Sequence, residues 1–187
     1  MSRLEAAFAH IGRAEFVPPR MRHLADRDEP LPIGSGQTIS QPYTVKFMLE
    51  LLDVREGHVV FEIGYGSGWQ SALLAYLVGE RGKVHACERL PELCKFGQDN
   101  VKKFPALEPR VTFYCRSASN GIPSMSFDRI IAAASVEVVP SAWREQLKTG
   151  GILVYPSGHS IWQERKFSPS EFEKREFPGF IFVPYKP

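Results

Sequence analysis

The chain has 187 residues, with 23 lysines and arginines against 21 aspartates and glutamates and a formal net charge of +2. With 43% hydrophobic and 24% charged residues it is too apolar for a disordered chain and long enough to build one domain around its own core. The near balance of charge argues against a general nucleic-acid or membrane-surface binder, which concentrates a basic excess on one face.

Residues 3–11 carry a short helical stripe of Leu4, Phe8 and Ile11. From Phe16 to Thr38 the chain is rich in proline, glycine and charge and reads as an extended arm, a length of irregular chain expected only where it covers something functional. A helix is predicted over about Pro42–Asp53, with Val45, Met48, Leu49 and Leu52 on one face. Strands and helices then alternate. The strands are 58–64, 83–88, 110–115, 127–134 and 152–156, the helices Trp69–Val78, Pro91–Lys103 and Pro140–Leu147, with a turn at Thr149-Gly150-Gly151. SIWQERKF and GFIFVPY near the end read as two strands of an antiparallel edge. This alternation implies a parallel sheet covered on both faces, a doubly wound α/β domain of about seven strands.

The three cysteines, Cys87, Cys94 and Cys115, contain no C-x-x-C pair, and no histidine stands at zinc-finger spacing. Neither a disulfide framework nor a structural metal is expected, and Cys87 and Cys115, in apolar runs, read as small buried hydrophobes. The charged N-terminus lacks the apolar core of a signal peptide, and no run approaches the ~20 apolar residues of a transmembrane helix. A reducing, cytoplasmic setting is the expectation. The five histidines are scattered and read as structural or surface residues.

The segment from Val60 to Gln70 joins a buried strand to a helix through Gly64, Gly66 and Gly68. Glycines there permit positive φ and let a ligand approach the main chain, at the place where an open α/β sheet holds nucleotide-like ligands. A dinucleotide fingerprint requires G-x-G-x-x-G; here the last required position is Trp69, poorly suited to seat a pyrophosphate. The G-x-G-x-G form preceded by Glu62 suits a ligand with a cationic amino-acid portion and no phosphates, such as S-adenosylmethionine. Glu88 ends the next strand, where an acid can accept hydrogen bonds from both ribose hydroxyls.

Residues 30–43, PLPIGSGQTISQPY, resemble the signature of the protein-L-isoaspartate O-methyltransferase family. EFVP (15–18), FEIGYGSGWQSALLA, CERLPEL (87–93), GIPSMSFDRIIAAASVEVVP (121–140), QLKTGGILVYPSG (146–158) and FVPY (182–185) resemble further family segments in the same order. The resemblance implies a Rossmann-like class I S-adenosylmethionine-dependent methyltransferase fold in one domain: 1–53 as N-terminal helix, covering arm and helix, 54–160 as donor-binding core, 161–187 as a C-terminal strand pair. It implies methyl transfer from S-adenosylmethionine to the α-carboxylate of isoaspartyl residues in damaged peptides and proteins, whose ester collapses to a succinimide and starts repair. No nucleic acid, membrane or metal enters this reading, and a monomer is expected.

The family likeness assigns Ser40 and Thr38 to the reacting site, and Glu62, Gly64, Gly66, Ser67, Gly68, Glu88 and Gln163 to the donor, with Ser117 or Asn120 left to supply one hydrogen bond to the adenine. On position alone Ser40 is equally suited to cap the helix beginning near Pro42. The sequence departs from the family at Arg116-Ser117-Ala118, where G-D-G is usual and the acid contacts the adenine amino group, and at Tyr65, where the family has threonine. These departures leave two alternatives open: a methyltransferase of the same fold acting on another carboxylate or small molecule, and a donor-binding module without turnover.

Overall fold

A computed structural model describes residues 1–186; Pro187, the end of the segment expected as a strand pair, lies outside the described residues. The apolar runs β3 (Val59–Ile63), β4 (Lys83–Glu88), β5 (Val111–Cys115), β6 (Phe127–Ala132) and β7 (Leu147–Ser157) pair in parallel in the order β5-β4-β3-β6-β7. β8 (Ser160–Lys166) and β9 (Phe172–Pro178) extend the sheet antiparallel to seven strands. The chain winds outward from β3 in both directions. The carboxyl end of β3 is therefore the switch point, where such sheets leave a crevice.

Strand parity sorts the core. Val60, Ile131, Ile152 and Val154 face a cluster with α1 (Arg3–His10), α2 (Pro42–Leu52), α3 (Trp69–Val78) and α4 (Pro91–Val101). Phe61, Ile63, Ile130 and Leu153 face the other side, closed by the short α5 (Ser141–Gln146) with Trp143 and by loops. The doubly wound arrangement is thus lopsided: four helices share one face and one helix serves the other. α3 has no polar stripe, and all its residues but Tyr76 are buried, as a helix between a sheet and an outer helix must be. α1 lies over it, with the Phe8 and Trp69 rings edge to face.

The sequence reading and the structure part at four places. The arm is not irregular throughout: it holds two 3₁₀ turns, Arg13–Phe16 and Pro19–Leu24, and a hairpin of β1 (Leu31–Gly34) and β2 (Gln37–Ile39). Gly34, Ser35 and Gly36 take positive φ at its tip. The expected turn at Thr149-Gly150-Gly151 lies inside β7, absorbed as a bulge with Gly150 at φ +80°. GFIFVPY is not the partner of β8; Phe172–Pro178 takes that place, and the later residues leave the sheet. Finally, Cys94 and Cys115 form a disulfide, their Cα atoms 5.6 Å apart, contrary to the expectation of free thiols. Residues 21 apart in sequence meet because α4 returns antiparallel along β4 and β5, which brings its first turn over the end of β5. Cys87 is free and buried, as expected.

Candidate active site

β2 ends at Ile39, whose side chain is buried in the main core. Alternation along an extended strand then turns Thr38 and Ser40 to the opposite side. Both line a cleft over the carboxyl ends of β3 and β4, with Ile63, Gly64, Gly66, Cys87 and Glu88 as its floor. Leu90 and Leu93 form an apolar wall, Arg116 and Ser117 close the side beyond β5, and Val183, Pro184 and Tyr185 cross the remaining side. The space, including its open mouth, is about 730 Å³.

Ser40 does not cap α2. The N-cap is Gln41, and the amide of Tyr43 donates at 2.8 Å to Asp28 Oδ1, which reaches over from the other leg of the arm. The capping alternative is thereby removed, and the Ser40 hydroxyl is left to the cleft.

The turn after β3 presents bare main chain. Gly64 and Gly66 run at φ +81° and +48°. A Cβ on Gly64 would have no neighbour nearer than the Ala133 methyl at 3.9 Å, whereas one on Gly66 would press on Ile33 Cδ1 of the arm at 3.3 Å. The first is open ground for a ligand; the second is where hairpin and turn touch. Glu88 is fixed by three amides: Gly66 N donates to Oε2 at 3.1 Å, and Arg89 N and Leu90 N donate to Oε1 at 2.9 and 3.0 Å. A carboxylate offers about four lone-pair sites, so roughly one remains, on Oε2. A ribose diol that uses two must displace an amide.

Beyond β5 the Ser117 hydroxyl meets Ser119 Oγ at 3.0 Å, and Ser119 Oγ meets the Tyr185 hydroxyl at 2.8 Å. The tail itself is pinned to the loop after β6, with Ser135 N donating to Val183 O and Tyr185 N to Ser135 O.

Four of the sequence-assigned donor residues stand elsewhere. Glu62 shares the parity of Val60 and so points to α3. It is fully buried, with Gln70 Nε2 donating at 3.2 Å and Ser71 Oγ at 2.5 Å, and burial pushes its carboxyl up to about 7 despite those two donors. Ser67 is buried below the turn; its carbonyl accepts from Asn100 Nδ2 at 2.9 Å. Gly68 serves packing, since a Cβ there would stand 2.6 Å from the Gly97 carbonyl of α4. Gln163 lies in β8 and donates to Leu51 O in α2, away from the cleft. Conversely, sequence reasoning passed over Leu90, Leu93, Arg116 and the 183–185 tail. The FVPY likeness was the signal for the tail, but its apolar pattern read as a strand.

A sequence profile described as Protein-L-isoaspartate(D-aspartate) O-methyltransferase (PCMT) matches residues 1–186. The chain belongs to this family. A protein-L-isoaspartate O-methyltransferase of Methanopyrus kandleri is 41% identical over 188 residues, covering 98% of this chain and 83% of that one. That of Ignicoccus hospitalis is 38% identical over 183 residues, covering 95% and 86%. A solved protein-L-isoaspartate O-methyltransferase superposes with a TM-score of 0.89 at 26% identity, over all of this chain and 62% of that one. A Plasmodium falciparum protein solved in complex with S-adenosyl-L-homocysteine gives 0.89 at 20% identity, over all of this chain and 91% of that one, a likeness of fold. S-adenosylmethionine-dependent methylation of isoaspartyl residues in proteins is the function of this PCMT-family chain. The alternatives of another substrate or lost turnover are not favoured.

Proposed function

We propose that the cleft performs this transfer with the arm and the glycine turn facing one another across it. Thr38 and Ser40 hold the acceptor carboxylate; Gly64, Gly66, Glu88 and Ser117 seat the donor. When bound, S-adenosylmethionine supplies a methyl carbon on a cationic sulfur; the carboxylate oxygen bonds to that carbon, and the sulfur keeps the electron pair of the broken bond. The open backbone at Gly64 and the spare lone pair of Glu88 suit such a ligand, and Leu90 with Leu93 offers an apolar wall for a purine.

The α-carboxylate of an isoaspartyl residue is chemically a C-terminus, with a pKa of ~3.3–3.7, and is ionised at neutral pH without a general base. The chain's task is alignment and exclusion of water. Ser40 and Thr38, hydroxyls on one side of an extended segment, donate to the carboxylate and fix the direction of its free lone pair. The hairpin and tail cover the reacting atoms. Arg89, Arg116 and Lys186 outnumber Glu88 around the cleft, which favours an anionic acceptor. One domain acting as a cytoplasmic monomer, reaching its substrates through this single face, completes the reading. Among the described residues no helix is long and apolar enough to cross a membrane.

The observation that carries this reading is the release of Ser40 from helix capping by Asp28, which leaves its hydroxyl in the same cleft as the glycine turn. Ser40→Ala should lower kcat on an isoaspartyl peptide about tenfold to a hundredfold. The dissociation constant for S-adenosylhomocysteine, read by calorimetry, should stay within about threefold. Unchanged turnover in Ser40→Ala would remove the hydroxyl from the mechanism.

A further inference from the structure

Arg13 is the most heavily engaged side chain outside the cleft. It is 6% exposed, and its guanidinium lies among main-chain carbonyls rather than carboxylates. Nη1 donates to Ala25 O and Arg27 O, both at 3.1 Å. Nη2 donates to Glu29 O at 2.7 Å, Ser40 O at 3.0 Å and Ile39 O at 3.3 Å. The guanidinium carbon stands 5.7 Å from the centre of the Trp69 ring, and Trp69 Nε1 donates back to Ile11 O at 3.1 Å.

Three parts of the molecule therefore meet on one cation. The outgoing leg of the arm supplies residues 25–29, the returning leg supplies Ile39 and Ser40, and Trp69 is the first residue of α3, directly after the glycine turn. The arm has only a short hairpin of its own to satisfy its carbonyls, so a planar fork of five N–H groups does what a sheet ladder would otherwise do. The fork is not filled to its capacity: Nε is buried and has no hydrogen-bond partner among the described residues. The remaining four N–H groups are shared among carbonyls of the outgoing leg and of the reacting segment itself.

We propose that Arg13 is the positioning residue of this site, setting the height of the Ser40 segment above the glycine turn. Ser40 is held through its own carbonyl, so a shift of the guanidinium is passed to the hydroxyl through one residue of main chain. Arg13 touches neither donor nor acceptor. This inference rests on the role given to Ser40 above.

The test is a double-mutant cycle between Arg13→Gln and Ser40→Ala. It reads kcat and KM on an isoaspartyl peptide beside the calorimetric dissociation constant for S-adenosylhomocysteine. Arg13→Gln should lower kcat by about the factor that Ser40→Ala does, while donor affinity stays within about threefold, because a displacement on the order of 1 Å is costly to alignment and not to the donor floor. Arg13→Lys, which keeps the cation but cannot serve five carbonyls, should recover part of the loss. In the Ser40→Ala background Arg13→Gln should cost less than about threefold more. Equal losses of kcat and donor affinity, or additive losses in the cycle, overturn the proposal. If Arg13→Gln does not fold, the cycle is read with Arg13→Lys; if neither folds while Ser40→Ala does, Arg13 is a folding residue and the proposal falls. Full turnover in Ser40→Ala alone would refute the Ser40 reading instead, a distinguishable result.

Discussion

Gly97 offers a test of sign. It lies inside α4, where glycine ordinarily costs a helix roughly 1 kcal/mol relative to alanine, so Gly97→Ala should stabilise the protein on propensity alone. The packing reverses that expectation. A Cβ at this position would stand 2.6 Å from the Gly66 carbonyl oxygen and 2.8 and 2.9 Å from two ring carbons of Tyr65. The oxygen belongs to the glycine turn and cannot rotate aside, and Gly68 makes the reciprocal contact with the Gly97 carbonyl at 2.6 Å. Helix and turn lie backbone against backbone. Restoring an ordinary contact near 3.4 Å needs a separation of about 0.8 Å. Overpacking of this kind costs about 1–3 kcal/mol, against about 1 kcal/mol regained in propensity, so the expected gain is cancelled and a net loss of up to about 2 kcal/mol follows. The displaced turn is also the donor floor, so S-adenosylhomocysteine should bind about tenfold more weakly, equivalent to about 1.4 kcal/mol. Urea denaturation should show a lower midpoint at unchanged slope, and calorimetry gives the affinity. Tyr65→Thr removes the two ring contacts but not the carbonyl contact, so the double substitution should recover only part of the loss. A higher midpoint in Gly97→Ala with unchanged affinity would refute the reasoning.

Glu62 gives a pH signature. Its folded value near 7 lies above the ordinary 4.5, so its contribution is whole below about 4.5, falls as pH rises, and is spent above about 7. The total is at most about 3 kcal/mol. Glu62→Gln should flatten stability against pH between 4.5 and 7, and an unchanged slope would deny that Glu62 titrates there. The Cys94–Cys115 disulfide closes a loop of 21 residues' separation, worth about 3 kcal/mol in the chain-entropy account. Reductant or Cys115→Ser should lower the urea midpoint accordingly, while equal midpoints with and without reductant would count against the bond. Cys87, its thiol pushed up to about 11 by burial, should stay unreactive towards a thiol reagent until the chain unfolds.

The sheet was legible because its strands are apolar runs bounded by turn residues, and the cleft because a glycine turn follows the central one. What was hidden depended on partners distant in sequence. Asp28 and Ser40 compete for one helix end, and nothing local to Ser40 reveals that Asp28 takes it. Arg13 stands between Gly12 and Ala14 with no local pattern to set it apart from a surface arginine, and its five acceptors are spread over residues 25–40. Cys94 and Cys115 meet only once α4 has folded back along β5. Two placements, by contrast, follow from local pattern. Parity from the buried Val60 turns Glu62 to the α3 face, where its carboxylate accepts from Gln70 and Ser71 at the start of that helix. The apolar alternation of GFIFVPY matched a strand, but the sheet had already found its edge in Phe172–Pro178. The later residues were free to follow the loop after β6 and cover the cleft. The same consideration explains how the cleft is covered from two directions. Each end contributes one covering segment, the arm through Arg13 and the tail through Ser135, and both are tied down by main-chain carbonyls and amides that no side-chain motif announces.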